Sequence, residues 1–303
     1  MLLLTPHPWQ DYQLIDTGGF EKLERFGQYI LRRPEPQAIW SKSLTDEEWH
    51  NRCDAWFVRK NAASGNAPDT NESGQWHLKP NMPQQWWVQY AYKTMHLHFR
   101  LGLTGFKHVG LFPEQTENWN FIFDRLTHLQ ANTNTPVTAL NLFAYTGGAS
   151  LAAKAAGADV VHVDSVKQVI HWAKQNMEAS GLTNIRWVVE DALKFAEKEV
   201  KRQKQYHALI LDPPAYGRGP NGEKWLLDKH LDQLLHYCSR LLLPGGIFVI
   251  NLYSLGQSAL MLSNLQQQHF PAAQTTQCGE LYLPDEFGKK LPLGIFLRLV
   301  NGG

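Results

Sequence analysis

Apolar and polar positions fall into two regimes along the chain. From Pro136 onward, short continuous apolar runs alternate with stretches whose apolar residues recur near helical spacing. VTALNLFA (137–144) predicts a buried strand, and SLAAKAAG (150–157) a helix stopped by Gly157. DVVHVDS (159–165) predicts a second strand, followed by a helix over VKQVIHWAKQNMEASG (166–181) that leaves at Gly181. The strand IRWVVED (185–191), the helix ALKFAEKEVKRQ (192–203), the strand HALILD (207–212), the helix WLLDKHLDQLLHYCSRLL (225–242) and the strand GGIFVINLY (245–253) continue the series. A further helix near 256–269 precedes CGELYLP (278–284) and GIFLRLV (294–300), which pattern as a closing strand pair. Alternation of this kind predicts right-handed crossovers and a mainly parallel sheet covered on both faces. The expected fold is α/β and doubly wound, with ligands at the carboxyl ends of the strands near the switch point.

Residues 9 to about 125 read differently, being rich in Trp, His and turn residues. Short strands separated by Gly and Pro turns are predicted over 12–40, with EKLERFG (21–27) as a β-hairpin arm. NAASGNAPDTNESG (61–74) reads as a polar loop or hairpin tip, and QWWVQYAYKTMHLHFRLGL (85–103) as alternating strand. The expected organisation is a smaller, mainly β domain over 1–125 and the doubly wound domain over 126–303. Arg25, Arg32, Arg33, Arg59 and Lys60, near Tyr29, Trp40 and Trp56, form a candidate basic, aromatic RNA face. Solvated cations over a small β core are the plainer alternative.

Composition narrows the class without naming it. The chain has 303 residues, 43% hydrophobic and 19% charged, with formal net charge +1. That balance lacks the basic excess that by itself points to nucleic acid. Cys53, Cys238 and Cys278 are odd in number and far apart, so no disulfide framework or zinc knuckle is expected and a reducing cytoplasm fits. MLLLTPHPWQ has no basic region before its short apolar run, and no later stretch is long enough to span a membrane. His96 and His98 share a strand face, but no clustered third ligand follows, and no metal is expected.

The unusual residues collect at predicted strand ends. Gly147 and Gly148 follow the first strand, Asp164 ends the second, Glu190 and Asp191 end the third, and Asp212 the fourth. Paired glycines before a helix let backbone approach a ligand, and an acid at the position of Asp164 suits a ribose diol. Each residue alone also reads as a turn, a helix cap or a strand-end acid. The ordered set points to a nucleotide-like ligand. FAYTGGAS lacks the G-x-G-x-x-G spacing of a dinucleotide fold and the lysine of a phosphate loop. An adenosyl cofactor with little phosphate recognition remains, namely S-adenosylmethionine.

The stretches LNLFAYTGGASLAAKAAGA, VVHVDSVKQVIHWAKQNMEASGL, VVEDALKF and LILDPPAYGRG resemble the successive motifs of class I S-adenosylmethionine-dependent methyltransferases, specifically the group similar to bacterial 23S ribosomal RNA large-subunit methyltransferases. GFKHVGLFPEQTENWNFI (105–122) resembles that group's approach to its catalytic domain, and the likeness covers residues 10 to 303. It implies a seven-stranded Rossmann-like sheet. It also implies that Phe143, Ala144, Tyr145, Thr146, Gly147 and Gly148 pass beside the methionine part of the cofactor. Asp164, with Ser165, is implied at the ribose, Asp191, with Ala192, at the adenine, and Gln115 at the closure of the site. Asp212, Pro213 and Pro214 are implied beside the sulfonium and the acceptor, with Tyr216 as a stacking or lid residue.

The acceptor is less defined. In amino-group methyltransferases an aromatic directly follows Asp-Pro-Pro, whereas here Ala215 intervenes before Tyr216. Carbon-5 cytosine methylation needs a cysteine nucleophile, and INLYSLGQS after the fifth strand has none. Cys238 falls in a helix pattern and is expected in the core. Ring-nitrogen methylation needs no covalent catalyst and stays open, with Tyr253 and Ser254 as candidate lining residues. The leading expectation is methylation of a base in RNA, ribosomal RNA first. A small-molecule or protein methyltransferase, and a non-catalytic cofactor- or RNA-binding module, are the alternatives.

Overall fold

The computed structural model describes residues 1–59, 73–253 and 256–302. Lys60, Ser254 and the stretch 61–72 of the expected polar loop lie outside them. The chain begins with a short strand, β1 (Leu2–Leu4). An antiparallel meander follows, formed by β2 (Tyr12–Gly18), β3 (Glu21–Phe26) and β4 (Tyr29–Pro34). EKLERFG is therefore a hairpin arm, as expected, and as the middle strand of the meander it serves two hairpins, pairing with β2 on one side and β4 on the other. Helix α1 (Asp46–Arg52) starts at a capping box between Thr45 and Glu48. β5 (Ala55–Arg59) and β6 (Gly74–Leu78) complete a sheet ordered β2-β3-β4-β5-β6. β7 (Gln85–Tyr92) and β8 (Met95–Gly102) then form a separate hairpin whose side chains alternate between exposed and buried, as the period-2 pattern predicts.

A 3₁₀ turn at Pro113–Gln115 leads into α2 (Thr116–Ala131), a helix the apolar pattern alone did not signal. The alternating elements follow: β9 (Thr138–Leu142), α3 (Gly148–Ala155), β10 (Asp159–Asp164), α4 (Lys167–Ala179), β11 (Ile185–Val189), α5 (Ala192–Lys201) and β12 (Tyr206–Leu211). A short hairpin of β13 (Tyr216–Arg218) and β14 (Lys224–Leu226) precedes α6 (Leu227–Leu241), β15 (Leu242–Leu252), α7 (Ala259–His269), β16 (Thr275–Pro284) and β17 (Lys290–Val300). The large sheet runs β1-β16-β17-β15-β12-β9-β10-β11. Its seven strands beyond residue 136 are the expected set. β1 adds an eighth, pairing parallel to β16 at the edge, because Leu2–Leu4 finds unpaired backbone there.

β9 lies between β10 and β12. The chain winds one way through β10 and β11 and then crosses to the other side at β12, so the crevice opens at the ends of β9 and β12. One apolar cluster covers one face of the sheet and extends through α2, α3 and β7–β8 into the meander, joining Tyr12 and Phe26 to Ala139, Ile210 and Val249. A second cluster, around Leu209, Leu234, Phe248 and Leu297, fills the opposite face beneath α5, α6 and α7. Helix α2 runs across residue 125, and β8 is tied to α4 where Trp172 Nε1 donates to the Arg100 carbonyl at 2.7 Å. Among the described residues no helix is long and apolar enough to cross a membrane.

Candidate active site

The turn after β9 carries the first part of the site. Phe143, Tyr145 and Gly147 all adopt left-handed φ, at 55°, 49° and 96°. Such values are costly for bulky aromatic residues and persist only where the surroundings enforce them. Here Thr146 Oγ1 donates to the Gly110 carbonyl at 2.7 Å, Asn176 Nδ2 donates to the Thr146 carbonyl at 3.0 Å, and the Tyr145 N–H donates to Asp164 at 2.9 Å. Gly148 is fixed by space instead: a Cβ there would stand 2.2 Å from the Trp119 ring. The absence of a side chain lets α2 seat Trp119 directly over the start of α3.

The second part comes from the end of β12. Pro213 and Pro214 stop the strand, and Trp225 Nε1 donates to the Pro214 carbonyl at 2.7 Å, which pins the turn. Asp212 is half-buried, and Asn251 Nδ2 on the neighbouring β15 donates to its Oδ1 at 3.3 Å. Burial pushes the Asp212 carboxyl up to about 6, against the lowering effect of that one hydrogen bond.

Gln115, Phe143, Ala144, Tyr145, Thr146, Gly147, Gly148 and Asp212 line one cavity at these strand ends. Sequence reasoning missed several of its walls, including Phe112, Asn118, Trp119 and Asn141. Asn118 donates to Gln115 Oε1 at 2.7 Å and accepts from Arg298 Nε at 2.8 Å, so Gln115 is held by a buried chain reaching β17. Asn251 was also missed, although its place at the end of the strand beside β12 is a signal available once strand order is known.

The remaining expected residues lie outside the walls of that cavity. Asp164 accepts from the N–H groups of Tyr145 and Val166, both at 2.9 Å, and burial raises its carboxyl despite these bonds. Ser165 follows it in the chain. Asp191 caps α5 by accepting from the Lys194 N–H at 2.9 Å, and Ala192 is the buried first residue of that helix. Tyr216 is 51% exposed on β13, where its hydroxyl accepts from Arg218 Nε at 2.8 Å. Cys238 is wholly buried in α6, and burial pushes its thiol far up. No cysteine lines the cavity.

Of the expected basic face, Arg25, Arg32 and Arg33 are engaged within the fold, and Lys60 lies outside the described residues. Arg32 makes a two-point pair with Glu21 at 2.7 and 2.6 Å, and Arg25 donates to the Gly27 and Gln10 carbonyls. Arg33, expected at the surface, is 4% exposed and pairs with Glu24 at 2.7 Å. Trp56 stacks on His77.

Among the described residues, the cavity wall carries one carboxyl, Asp212, four aromatic rings, and no lysine or arginine. A polyphosphate calls for cations, whereas a ligand with a positive centre suits a carboxylate among aromatic faces. These residues fit a sulfonium cofactor, with the glycine turn giving backbone access. A family model of S-adenosylmethionine-dependent methyltransferases matches residues 77–279. The chain belongs to that family.

Among solved structures, the S-adenosylmethionine-dependent methyltransferase from Agrobacterium tumefaciens is 34% identical, with a TM-score of 0.87 over 99% of this chain and 94% of that one. The SMU.776 structure, complexed with SAH, is 17% identical with a TM-score of 0.69 over 96% of this chain and 75% of that one, and shares the fold. Two curated relatives are named ribosomal RNA large subunit methyltransferase K/L. The Shewanella frigidimarina protein is 28% identical over 57% of this chain, and the Syntrophotalea carbinolica protein 34% identical over 37%. The matches cover 25% and 16% of those relatives, so this methyltransferase corresponds to a quarter of their length or less.

Proposed function

We propose that this methyltransferase transfers a methyl group from S-adenosylmethionine to a base in RNA, with ribosomal RNA as the first candidate. The observation that carries the reading is the juxtaposition of Asp212 with the cation-free, aromatic cavity at the β9–β12 crevice. The names of the curated relatives supply the substrate class. When bound, the cofactor supplies an electrophilic methyl group. The 143–148 turn and Gln115 hold its amino-acid portion, Asp164 with Ser165 receives the ribose hydroxyls, and Asp191 with Ala192 bounds the adenine. Asp164 Oδ2 accepts from the Tyr145 N–H and Oδ1 from the Val166 N–H, which fixes the carboxylate facing the turn.

Asp212 and the Pro213–Pro214 turn orient the acceptor. Methyl transfer is an in-line displacement, so a rigid turn pinned by Trp225 contributes through positioning. Carbon-5 chemistry through a cysteine adduct is disfavoured by the location of Cys238 in the core. Tyr216, one place beyond the position used by amino-group enzymes, covers the acceptor from the β13–β14 hairpin. The test is transfer of radiolabelled methyl to total RNA from a strain lacking the gene, with Asp212→Ala as control and nucleoside mass spectrometry as readout. Label in one ribosomal nucleoside, lost in the control, supports the reading. Retained cofactor binding with no label in naked RNA or ribosomal particles would reject the RNA substrate.

A further inference from the structure

Beside the first cavity lies a second, where the meander meets the ends of β15 and β17. Lys22 of β3, Arg33 of β4, Glu35, Glu114, Tyr253 and Leu293 are among its walls, and Leu111 and Phe112 belong to both cavities. The other carboxylates around it are matched. Glu24 accepts from Arg33 Nε at 2.8 Å and from the Tyr12 hydroxyl at 2.9 Å. Lys22 stands 3.4 Å from Glu35, which also accepts from the Tyr253 hydroxyl at 2.6 Å.

Glu114 differs from both. It is 4% exposed, sits on the 3₁₀ turn next to Gln115, and has no ion-pair partner among the described residues. An unmatched carboxyl out of water is unfavourable, and the fold commits Lys22 and Arg33 to other acids. Burial, aided by the charges of Glu24 and Asp212, pushes its carboxyl up to about 7 despite the pull of Lys22 and of its own backbone N–H. Its neighbour in the chain, Gln115, lines the first cavity.

We propose that the second cavity is the acceptor subsite, in which Glu114 accepts a hydrogen bond from an N–H group of the base. The assignment rests on the RNA reading above. Its occupant is a neutral nucleobase rather than a cation, because Lys22, Arg33 and Lys107 already bring positive charge to the walls. Phe112, shared by the two cavities, offers an aromatic face at their junction. Tyr253, expected from sequence to line the target pocket, does line this cavity, with its hydroxyl fixed by Glu35. Glu114 thus touches the acceptor, and the matched pairs around it serve as rigid walls.

Binding of the four ribonucleoside 5′-monophosphates, read by ligand-observed NMR with S-adenosylhomocysteine present, tests this without turnover. At pH 8, where the Glu114 carboxyl is mostly charged, at least one nucleotide is expected to bind the wild type, and Glu114→Gln to weaken it by about tenfold or more, since a hydrogen bond to a charged acceptor is lost. Glu114→Asp, which keeps the charge, is expected to fall between the two. Affinity for S-adenosylhomocysteine should stay within about twofold in each variant, showing an intact fold. Equal nucleotide binding by wild type and Glu114→Gln, or none to either, overturns the subsite. RNA labelling separates the two ideas. Nucleotide binding through Glu114 with no labelled RNA sinks the RNA reading and keeps the second cavity as a nucleobase site for an acceptor other than RNA. Labelling with an unchanged acceptor KM in Glu114→Gln sinks the subsite alone.

Discussion

Glu24 in the meander and Glu114 beside the crevice are both carboxyls removed from water, and the fold treats them in opposite ways. Burial pushes the Glu24 carboxyl up, but the charges of Arg33 and Lys22 outweigh it and hold the group below the usual carboxylate range. Burial also pushes Glu114 up, and there nothing outweighs it. Asp212 is intermediate, with only the Asn251 amide to offset desolvation. Matched acids in the meander are consistent with a scaffold, in which removing either partner leaves the other charge stranded. The unmatched acids beside the crevice carry a desolvation cost that the fold does not offset, the kind of perturbation that clusters at functional sites.

The largest expected effect breaks the scaffold side of the contrast. Arg33→Met should destabilise the protein by about 3–5 kcal/mol in denaturant unfolding, because Glu24 is left buried without its main cation. If the loss is under ~1 kcal/mol, the meander pairs are not structural in the sense argued. Asp212→Ala should lower the methyl-transfer rate by about 10²–10³-fold through lost positioning while stability changes little. A rate within about threefold of wild type would remove Asp212 from the proposed chemistry.

Glu114 sharpens the contrast through pH. Its folded carboxyl titrates at about 7, above an ordinary glutamate, so the folded state holds the proton more tightly than the unfolded chain. Its stabilising contribution is full below the unfolded value and is lost as pH rises through 7. Glu114→Gln removes that loss, so the variant should gain up to ~3 kcal/mol over wild type at pH 8 and show no gain near pH 4. Melting curves at the two pH values decide it, and a variant less stable at pH 8 contradicts the claim that Glu114 is unmatched. Gly148→Ala should cost about 1–3 kcal/mol, since the added methyl meets Trp119. Cofactor affinity should fall with it, because the same turn lines the cavity. Tyr216→Phe is the smallest change, within ~0.5 kcal/mol in stability, as its hydroxyl is held at the surface by Arg218.

Much of the catalytic region was legible from local signals. Runs such as VTALNLFA and HALILD are apolar because both faces of a central parallel strand are covered; β9 falls within the first, and β12 begins one residue before the second and ends one residue short of it. Gly147, Gly148 and Asp212 were legible because strand ends are marked by breaks in the apolar pattern. The left-handed φ of Phe143 and Tyr145 was not, since neither residue type advertises it and distant bonds from Gly110, Asn176 and Asp164 accompany it. Asn251 and Asp212 are far apart in sequence and meet only because β15 lies beside β12. Helix α2 was hidden by a mixed face in which Asn118 and Asn120 are buried with Trp119 and Phe123.

The cationic residues near the amino terminus were the least legible. Arg25, Arg32 and Arg33 look alike in sequence, and a surface role was expected for each. Adjacent positions on β4 point to opposite faces of the meander, so Arg32 meets Glu21 while Arg33 is buried on Glu24.

By itself the sequence determined the order and type of the α/β elements, the acids and glycines at their ends, and the methyltransferase family. Periodicity and strand-end chemistry are local properties, carried by neighbouring residues. Tertiary structure alone decided which carboxyls are matched and which are stranded. That depends on which cations strand order and face bring within a few ångströms, and on how much water the surrounding core excludes.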